Sequence, residues 1–200
     1  MDVLVMAGGK GTRMGYVEKP LVEINGKFMI DYIIETLTQS NIEKIFVAVS
    51  KNTPKTEQYL KEKYRDIVLI KTSGNGYVED LNEAIKYFSS PFLVVSSDIP
   101  TIKPKTINNI INYYLNIRGI NNKVEALCVM VKKDNYLGNP TMELDGYIPA
   151  GINIISPKYG EQIEEVMVVD EVLINVNTWE DKILAEKLLK QLSKYREICP

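Results

Sequence analysis

Apolar positions along the chain follow two different periods. The runs DVLVM at 2 to 6, KIFVAV at 44 to 49, IVLIK at 67 to 71 and FLVVS at 92 to 96 are short, β-rich and nearly continuous. That is how strands buried on both faces read. Between them the spacing turns helical. FMIDYIIETLTQ at 28 to 39 puts Met29, Ile33 and Leu37 on one face, and residues 53 to 64 open with Thr53 as N-cap and Pro54 at the first helical position. Residues 78 to 88 and 104 to 117 repeat the pattern. Strand then helix, four times over, predicts an α/β fold with a mostly parallel central sheet flanked by helices. Ligands are then carried by the loops at the strand C-terminal ends.

From residue 124 the rhythm changes. VEALCVMVKK and YLGNPTMELDGYIPAGINIIS are short strands punctuated by Gly138, Asn139, Pro140, Asp145 and Gly146, which predicts some antiparallel or mixed strands in the C-terminal half. After Asn177, Thr178 and Trp179 an amphipathic helix is expected, with Ile183, Leu184, Leu188 and Leu192 on its buried side. Without a linker, repeat or low-complexity tract, residues 1 to 200 read as a single domain.

Composition narrows the chemistry. With 45% hydrophobic and 25% charged residues the chain is an ordinary globular sequence, and a net charge of -2 without blocks of like charge argues against a nucleic-acid partner. No run approaches the roughly 18 apolar residues of a membrane span, and the N-terminus lacks the basic flank of a secretory signal. Cys128 and Cys199 form no CxxC pair, so neither a disulfide framework nor a thiolate metal site is expected, and a reducing cytoplasm fits best. Cys128, inside an apolar strand, reads as inert core. The histidine count is zero, which removes Ser/His/Asp and Cys/His triads, HExxH zinc sites and histidine-relayed phosphoryl transfer. Any catalysis must use carboxylates, Lys, Arg, amides, backbone or metal.

The densest chemical signal follows the first strand. Gly8, Gly9, Gly11 and Gly15 permit backbone amides to approach an anion, and Lys10, Arg13 and Lys19 supply countercharge. A Walker A loop needs GxxxxGK[ST], and no glycine stands at the required upstream position. A dinucleotide fingerprint needs a helix starting within the glycines and an acidic residue after the second strand. Here Gly15 and Pro20 interrupt the helix, and the second strand ends in Ser50 and Lys51.

MAGGKGTRMG at 6 to 15 followed by Lys19 and Pro20 resembles the signature of the nucleotidyltransferases, and the chain is similar to that family in SSDIP at 96 to 100 and NVNTWED at 175 to 181. The resemblance implies a Rossmann-like nucleotidyltransferase fold and a nucleotide site made of Ala7, Gly8, Gly9, Gly11, Thr12, Arg13, Met14, Gly15 and Lys19 with Ser73, Gly74, Asn75 and Gly76. It implies that Lys19 holds the α-phosphate, that Arg13 holds the leaving phosphates, and that Asp98 and Asn177 bind Mg2+. Hard oxygen ligands suit that ion, and positioned cations suit the charge developing at an α-phosphate and a departing pyrophosphate. Taken alone, Asp98 reads equally as a solvated loop carboxylate and Asn177 as a cap of the last helix.

Within the family, SGNGYVEDL, SSDIPTI, PAGINI and NVNTWED resemble a guanylyltransferase branch of cobalamin assembly. This implies GTP as donor, a phosphorylated corrinoid (adenosylcobinamide phosphate) as acceptor, and pyrophosphate as second product. Gly151 and Asn153 of PAGINI are candidates for the acceptor side, or simply a turn and a core strand. An acceptor for the guanine ring N–H and amino group is available in backbone carbonyls, Asn75, Glu79 or Asp80. Without a Walker A loop, the chain is not expected to phosphorylate cobinamide. Molybdopterin guanylyl transfer usually goes with a GPLAG-like turn where GYVEDL stands. Many sugar-phosphate nucleotidyltransferases add a left-handed helix domain for which 200 residues leave no room, glycosyltransferases usually carry DxD, and a GTP sensor without turnover is the non-enzymatic alternative. Oligomeric state is left open, a homodimer being one arrangement.

Overall fold

A computed structural model describes residues 1 to 198, with side chains described through residue 192; Cys199 lies outside the described residues. In chain order the elements are β1 (Val3–Met6), β2 (Glu23–Ile24), β3 (Lys27–Phe28), α1 (Met29–Thr38), β4 (Ile45–Ser50), α2 (Pro54–Lys63), β5 (Ile67–Thr72), α3 (Tyr77–Ile85), β6 (Phe92–Ser96), α4 (Pro104–Ile120), β7 (Ala126–Lys132), β8 (Tyr136–Leu137), β9 (Tyr147–Ile155), β10 (Glu164–Val169), β11 (Leu173–Ile174) and α5 (Trp179–Ile198). Each of the four expected strand–helix pairs is present.

Seven strands form one sheet in the order β10-β7-β9-β6-β1-β4-β5. β1 pairs in parallel with β4 and with β6, and β4 with β5. β9 runs against both its neighbours, β6 and β7, while β10 pairs in parallel with β7. The expected antiparallel character of the C-terminal half thus comes down, in this sheet, to one reversed strand. After β5 the chain crosses back to the far side of β1, so the loops following β1 and β6 diverge and open a crevice above the strand ends.

Side chains of successive strand residues point to opposite faces, and the core divides accordingly. Val3, Val5, Val47, Val49, Leu93 and Val95 pack against α1, α2 and α4 through Ile30, Ile33, Leu37, Leu60, Ile107 and Ile110. Leu4, Met6, Phe46, Ala48 and Val94 pack against α3 through Ala84 and Ile85. A third cluster, Met14, Val22, Ile24, Met29, Ile174, Val176 and Ala185, fixes α5 beneath the glycine-rich loop. The buried side of α5 is set by Asp181 and Ala185 with Leu184 and Leu188 half-buried, whereas Ile183, expected on that side, is half-exposed. The helix rests on the short β2 rather than on the main sheet, so a narrower stripe than expected is covered.

Candidate active site

The glycine-rich loop leaves β1 at its C-terminal end and turns sharply. Gly11 has φ +61°, and a β-carbon there would overlap the carbonyl oxygen of Val17; only glycine fits that approach. Thr12–Met14 form one turn of 3-10 helix, which presents Arg13 to the crevice and drives Met14 downward. Met14 is 2% exposed and belongs to the core under α5, so this signature methionine anchors the loop and does not face a ligand.

Lys19 and Pro20 follow in a second 3-10 turn. The preceding residue, Glu18, gives its carboxylate to the N-terminus of α2: it accepts the Lys55 N–H at 3.0 Å, the Thr56 N–H at 2.7 Å and the Thr56 hydroxyl at 2.7 Å. Thr53 precedes the helix as expected but makes no side-chain cap, its hydroxyl accepting instead the Ser50 N–H at 3.1 Å. Glu18 therefore satisfies donors that the first helical turn leaves open, and fastens the backbone beside Lys19.

Four of the candidate side chains meet at the crevice. The Lys19 ammonium donates to Asp98 Oδ2 at 2.6 Å and to Asn177 Oδ1 at 3.0 Å, and Arg13 donates to the same Asn177 oxygen at 2.8 Å. Asp98 is held from behind by the Ser96 hydroxyl at 2.5 Å and the Asn175 amide at 3.3 Å, both on Oδ1. The Val176 N–H donates to the Asp98 carbonyl at 2.8 Å, stitching the segment before α5 to the loop after β6. Asn177 does not cap α5. Thr178 and Asp181 do so reciprocally: Asp181 Oδ2 accepts the N–H groups of Asn177 and Thr178, and Thr178 Oγ1 accepts the Asp181 N–H. The Asn177 amide is thereby left to the crevice.

The crevice is a cleft of about 410 Å³. Ala7, Gly8, Gly9, Gly11, Thr12, Arg13, Lys19, Gly74, Asn75, Gly76, Asp98 and Asn177 all line it, as the sequence reading expects of them. Met14, Gly15 and Ser73 do not: Met14 is core, Gly15 closes the turn, and the Ser73 N–H faces away to Glu83 Oε2 at 2.7 Å. Hydrogen bonding from the Ser73 hydroxyl, and then from its N–H, holds the Glu83 carboxyl below its ordinary range. Asp80, one of the candidate guanine acceptors, also stands on the wall, and Tyr77 is added to it. Tyr77 lies inside the SGNGYVEDL motif, which does not set it apart from the other tyrosines. Asn175 carried a sequence signal that went unused, since it stands two positions before Asn177 in an extended segment and so on the same side.

Gly151 and Asn153 are on β9, outside the cleft wall. PAGINI lies in a core strand, in which Ile148, Ala150, Ile152 and Ile154 are buried. Gly151, at φ +73°, marks an irregularity in pairing with β7 between Cys128 and Met130, and a β-carbon there would stand 3.1 Å from the Asn175 amide nitrogen and 3.3 Å from Ser96. Asn153 meets the hydroxyl of Tyr77, whose pKa burial raises although the residue as a whole is half-exposed. Burial and the nearby Asp98 push Tyr136 up to about 12, its hydroxyl bonding the Asn175 backbone. Neither phenol is a general base near neutrality. Cys128 is half-buried and its thiol is pushed up by burial, consistent with an unreactive side chain. No cluster of three metal-ligating acidic or sulfur side chains occurs among the described residues.

An α/β sheet with its cleft at the strand ends, floored by a glycine-rich loop and flanked by two cations and two oxygen donors, defines a nucleoside-triphosphate-dependent transferase. Residues 3–192 match the MobA-like NTP transferase domain, and the chain belongs to that family of nucleotidyltransferases. It is 54% identical over 194 residues to the adenosylcobinamide-phosphate guanylyltransferase of Methanocaldococcus jannaschii, covering 96% of this chain and 98% of that one. Its fold is similar to that of the inositol-1-phosphate CTP transferase from T. maritima (TM-score 0.71, 14% identity, 90% of each chain covered). It is similar also to HddC from Yersinia pseudotuberculosis complexed with GMP-PN (TM-score 0.69, 19% identity, 94% and 99% covered).

Proposed function

We propose that this chain moves GMP from GTP to adenosylcobinamide phosphate, giving adenosylcobinamide-GDP and pyrophosphate. The observation that carries this reading is the end-to-end likeness to the Methanocaldococcus jannaschii guanylyltransferase, which leaves neither chain a large unmatched segment. In the reaction an acceptor phosphate oxygen forms a bond to the α-phosphorus of GTP. The bond from that phosphorus to the bridging oxygen breaks, and pyrophosphate leaves with the electron pair. The acceptor oxygen is already ionised, so no strong base is required, which agrees with a chain without histidine.

Lys19 and Arg13 supply the positive charge. They lie on one side of the cleft within reach of one amide oxygen, so a triphosphate entering there is met by both. Lys19 is assigned to the α-phosphate and Arg13 to the leaving phosphates. The glycine-rich loop turns backbone N–H groups toward the same anion. Asp98 Oδ2 and Asn177 Oδ1 are hard oxygen donors facing the two cations, a donor set that suits Mg2+ completed by phosphate and water. These two residues would hold the ion, which when bound supplies further positive charge at the phosphates.

The test is pyrophosphate release from GTP by purified protein. Release that needs both Mg2+ and the phosphorylated corrinoid supports the assignment. GTP binding without turnover under those conditions makes the chain a sensor and overturns it. Phosphate transfer from ATP or GTP to non-phosphorylated cobinamide is expected to be undetectable.

A further inference from the structure

Resting on GTP as the donor, we infer that Asp80 reads the guanine base, accepting its ring N1–H and 2-amino hydrogens on Oδ2. The phosphate-binding cations stand on the β6 side of β1, with Asp98 and Asn177. The rest of the cleft extends toward the β4 side, where its wall is Gly74 to Tyr77 and Asp80. A nucleotide with its phosphates at Lys19 therefore brings its base against the first turn of α3.

Most side-chain and carbonyl acceptors on this wall already have a partner. The Gly74 carbonyl takes the Asn52 amide at 2.9 Å, and the Gly8 carbonyl takes the Ser50 hydroxyl at 2.7 Å. The Gly76 carbonyl takes the helical Asp80 N–H at 2.9 Å. Asn75 is exposed and its side-chain oxygen takes Lys51 at 3.3 Å, while Glu79 is exposed and folds back over Gly76. Asp80 is 5% exposed. Its Oδ1 is fixed by the Gly74 N–H at 2.7 Å and the Ser73 hydroxyl at 3.4 Å. Its Oδ2 faces the cleft floor, 3.4 Å from where a β-carbon on Gly8 would stand.

A carboxylate accepts and never donates when ionised. Guanine presents two donors on that edge; hypoxanthine presents one, and adenine presents a bare ring nitrogen, which the carboxylate repels. Fixing one oxygen on the loop and leaving the other open makes Asp80 a rigid reader, and rigidity is what turns a hydrogen bond into discrimination.

Calorimetry with GTP, ITP, 1-methyl-GTP, ATP and tripolyphosphate tests this. Wild-type protein is expected to bind GTP at least roughly tenfold tighter than ITP or 1-methyl-GTP, the lower range for a hydrogen bond to a charged group. In Asp80→Asn, which keeps an oxygen for the Gly74 N–H, the GTP-to-ITP ratio should collapse toward about one while tripolyphosphate binds as before. Equal weakening of GTP, ITP and ATP in that variant would show that Asp80 only shapes the loop. Wild-type affinity indifferent to the N1-methyl group would also overturn the inference, and needs no variant. Should wild-type protein bind ATP as well as GTP, the donor assignment itself fails, a result distinct from either.

Discussion

Asn177 concentrates the chemistry of the cleft in one oxygen. Its Oδ1 accepts from both Lys19 and Arg13, so the amide spaces two cations that would otherwise repel each other. On the proposed assignment, Lys19→Ala removes charge from the transition state, and Asn177→Ala removes the group that sets the two charges apart. Each is expected to lower kcat by about 100-fold to 1,000-fold, the range for deleting one preorganised transition-state donor, with the thermal midpoint little changed. Near-normal turnover in either variant would remove that residue from its role. Arg13, Lys19, Asp98 and Asn177 could be singled out in the sequence because each sits in a motif shared with the nucleotidyltransferases; taken alone, Asp98 and Asn177 read equally as ordinary loop and cap residues. Their mutual contacts were not: Lys19 and Asp98 are 79 positions apart, and no local rule pairs them. Met14 was misread because a signature position can serve the core as well as the ligand.

Among the elements, α2 shows how a helix end can serve a distant loop. The cap comes from Glu18, three strands and a helix earlier in the sequence, and no spacing rule within residues 53 to 64 could have revealed it. Glu18→Ala is expected to cost about 1 kcal/mol of stability, as lost N-caps do. Denaturant titration measures that loss, and kcat should fall with it because Lys19 loses its anchored neighbour. A stability loss with unchanged kcat would show that the cap only supports the helix. The strand–helix alternation itself was legible, since a switch between period 2 and period 3.6 is written in single residues. The reversed β9 was not, because strand order depends on pairings such as Val94 with Asn153 that the chain brings together from far apart.

Across the whole molecule, the missing histidines and the depressed carboxylates shape the response to pH. Glu43 is lowered by its hydrogen bond to the N-terminal ammonium, Glu57 by Lys61, Glu125 by Lys158, and Glu186 by Lys182. A carboxyl whose folded pKa is lowered contributes stability above its unfolded value, and that stability is lost as pH falls through the folded value. Stability should therefore be nearly flat from about pH 5.5 to pH 7, where histidine would ordinarily titrate, and should fall below roughly pH 4.5, the unfolded range for glutamate. Urea midpoints measured from pH 7 down to pH 3 check both halves. A step near pH 6.5 would contradict the account.

The contact between Lys19 and Asp98 makes nucleotide capture an exchange of partners. In the free protein the phosphate-seeking cations are already occupied by the cleft's own oxygens, so an arriving triphosphate must outcompete an internal anion. A self-satisfied cleft of this kind attracts stray phosphates weakly and responds to ionic strength less than two bare cations would. It also separates affinity from turnover. Asp98→Asn, by releasing Lys19, should tighten GTP binding in the presence of a chelator even as it abolishes transfer, so the variant that holds the nucleotide best would be one that cannot use it. Unchanged or weaker chelator-resistant binding in a titration of that variant would show that the ion pair does not restrain Lys19.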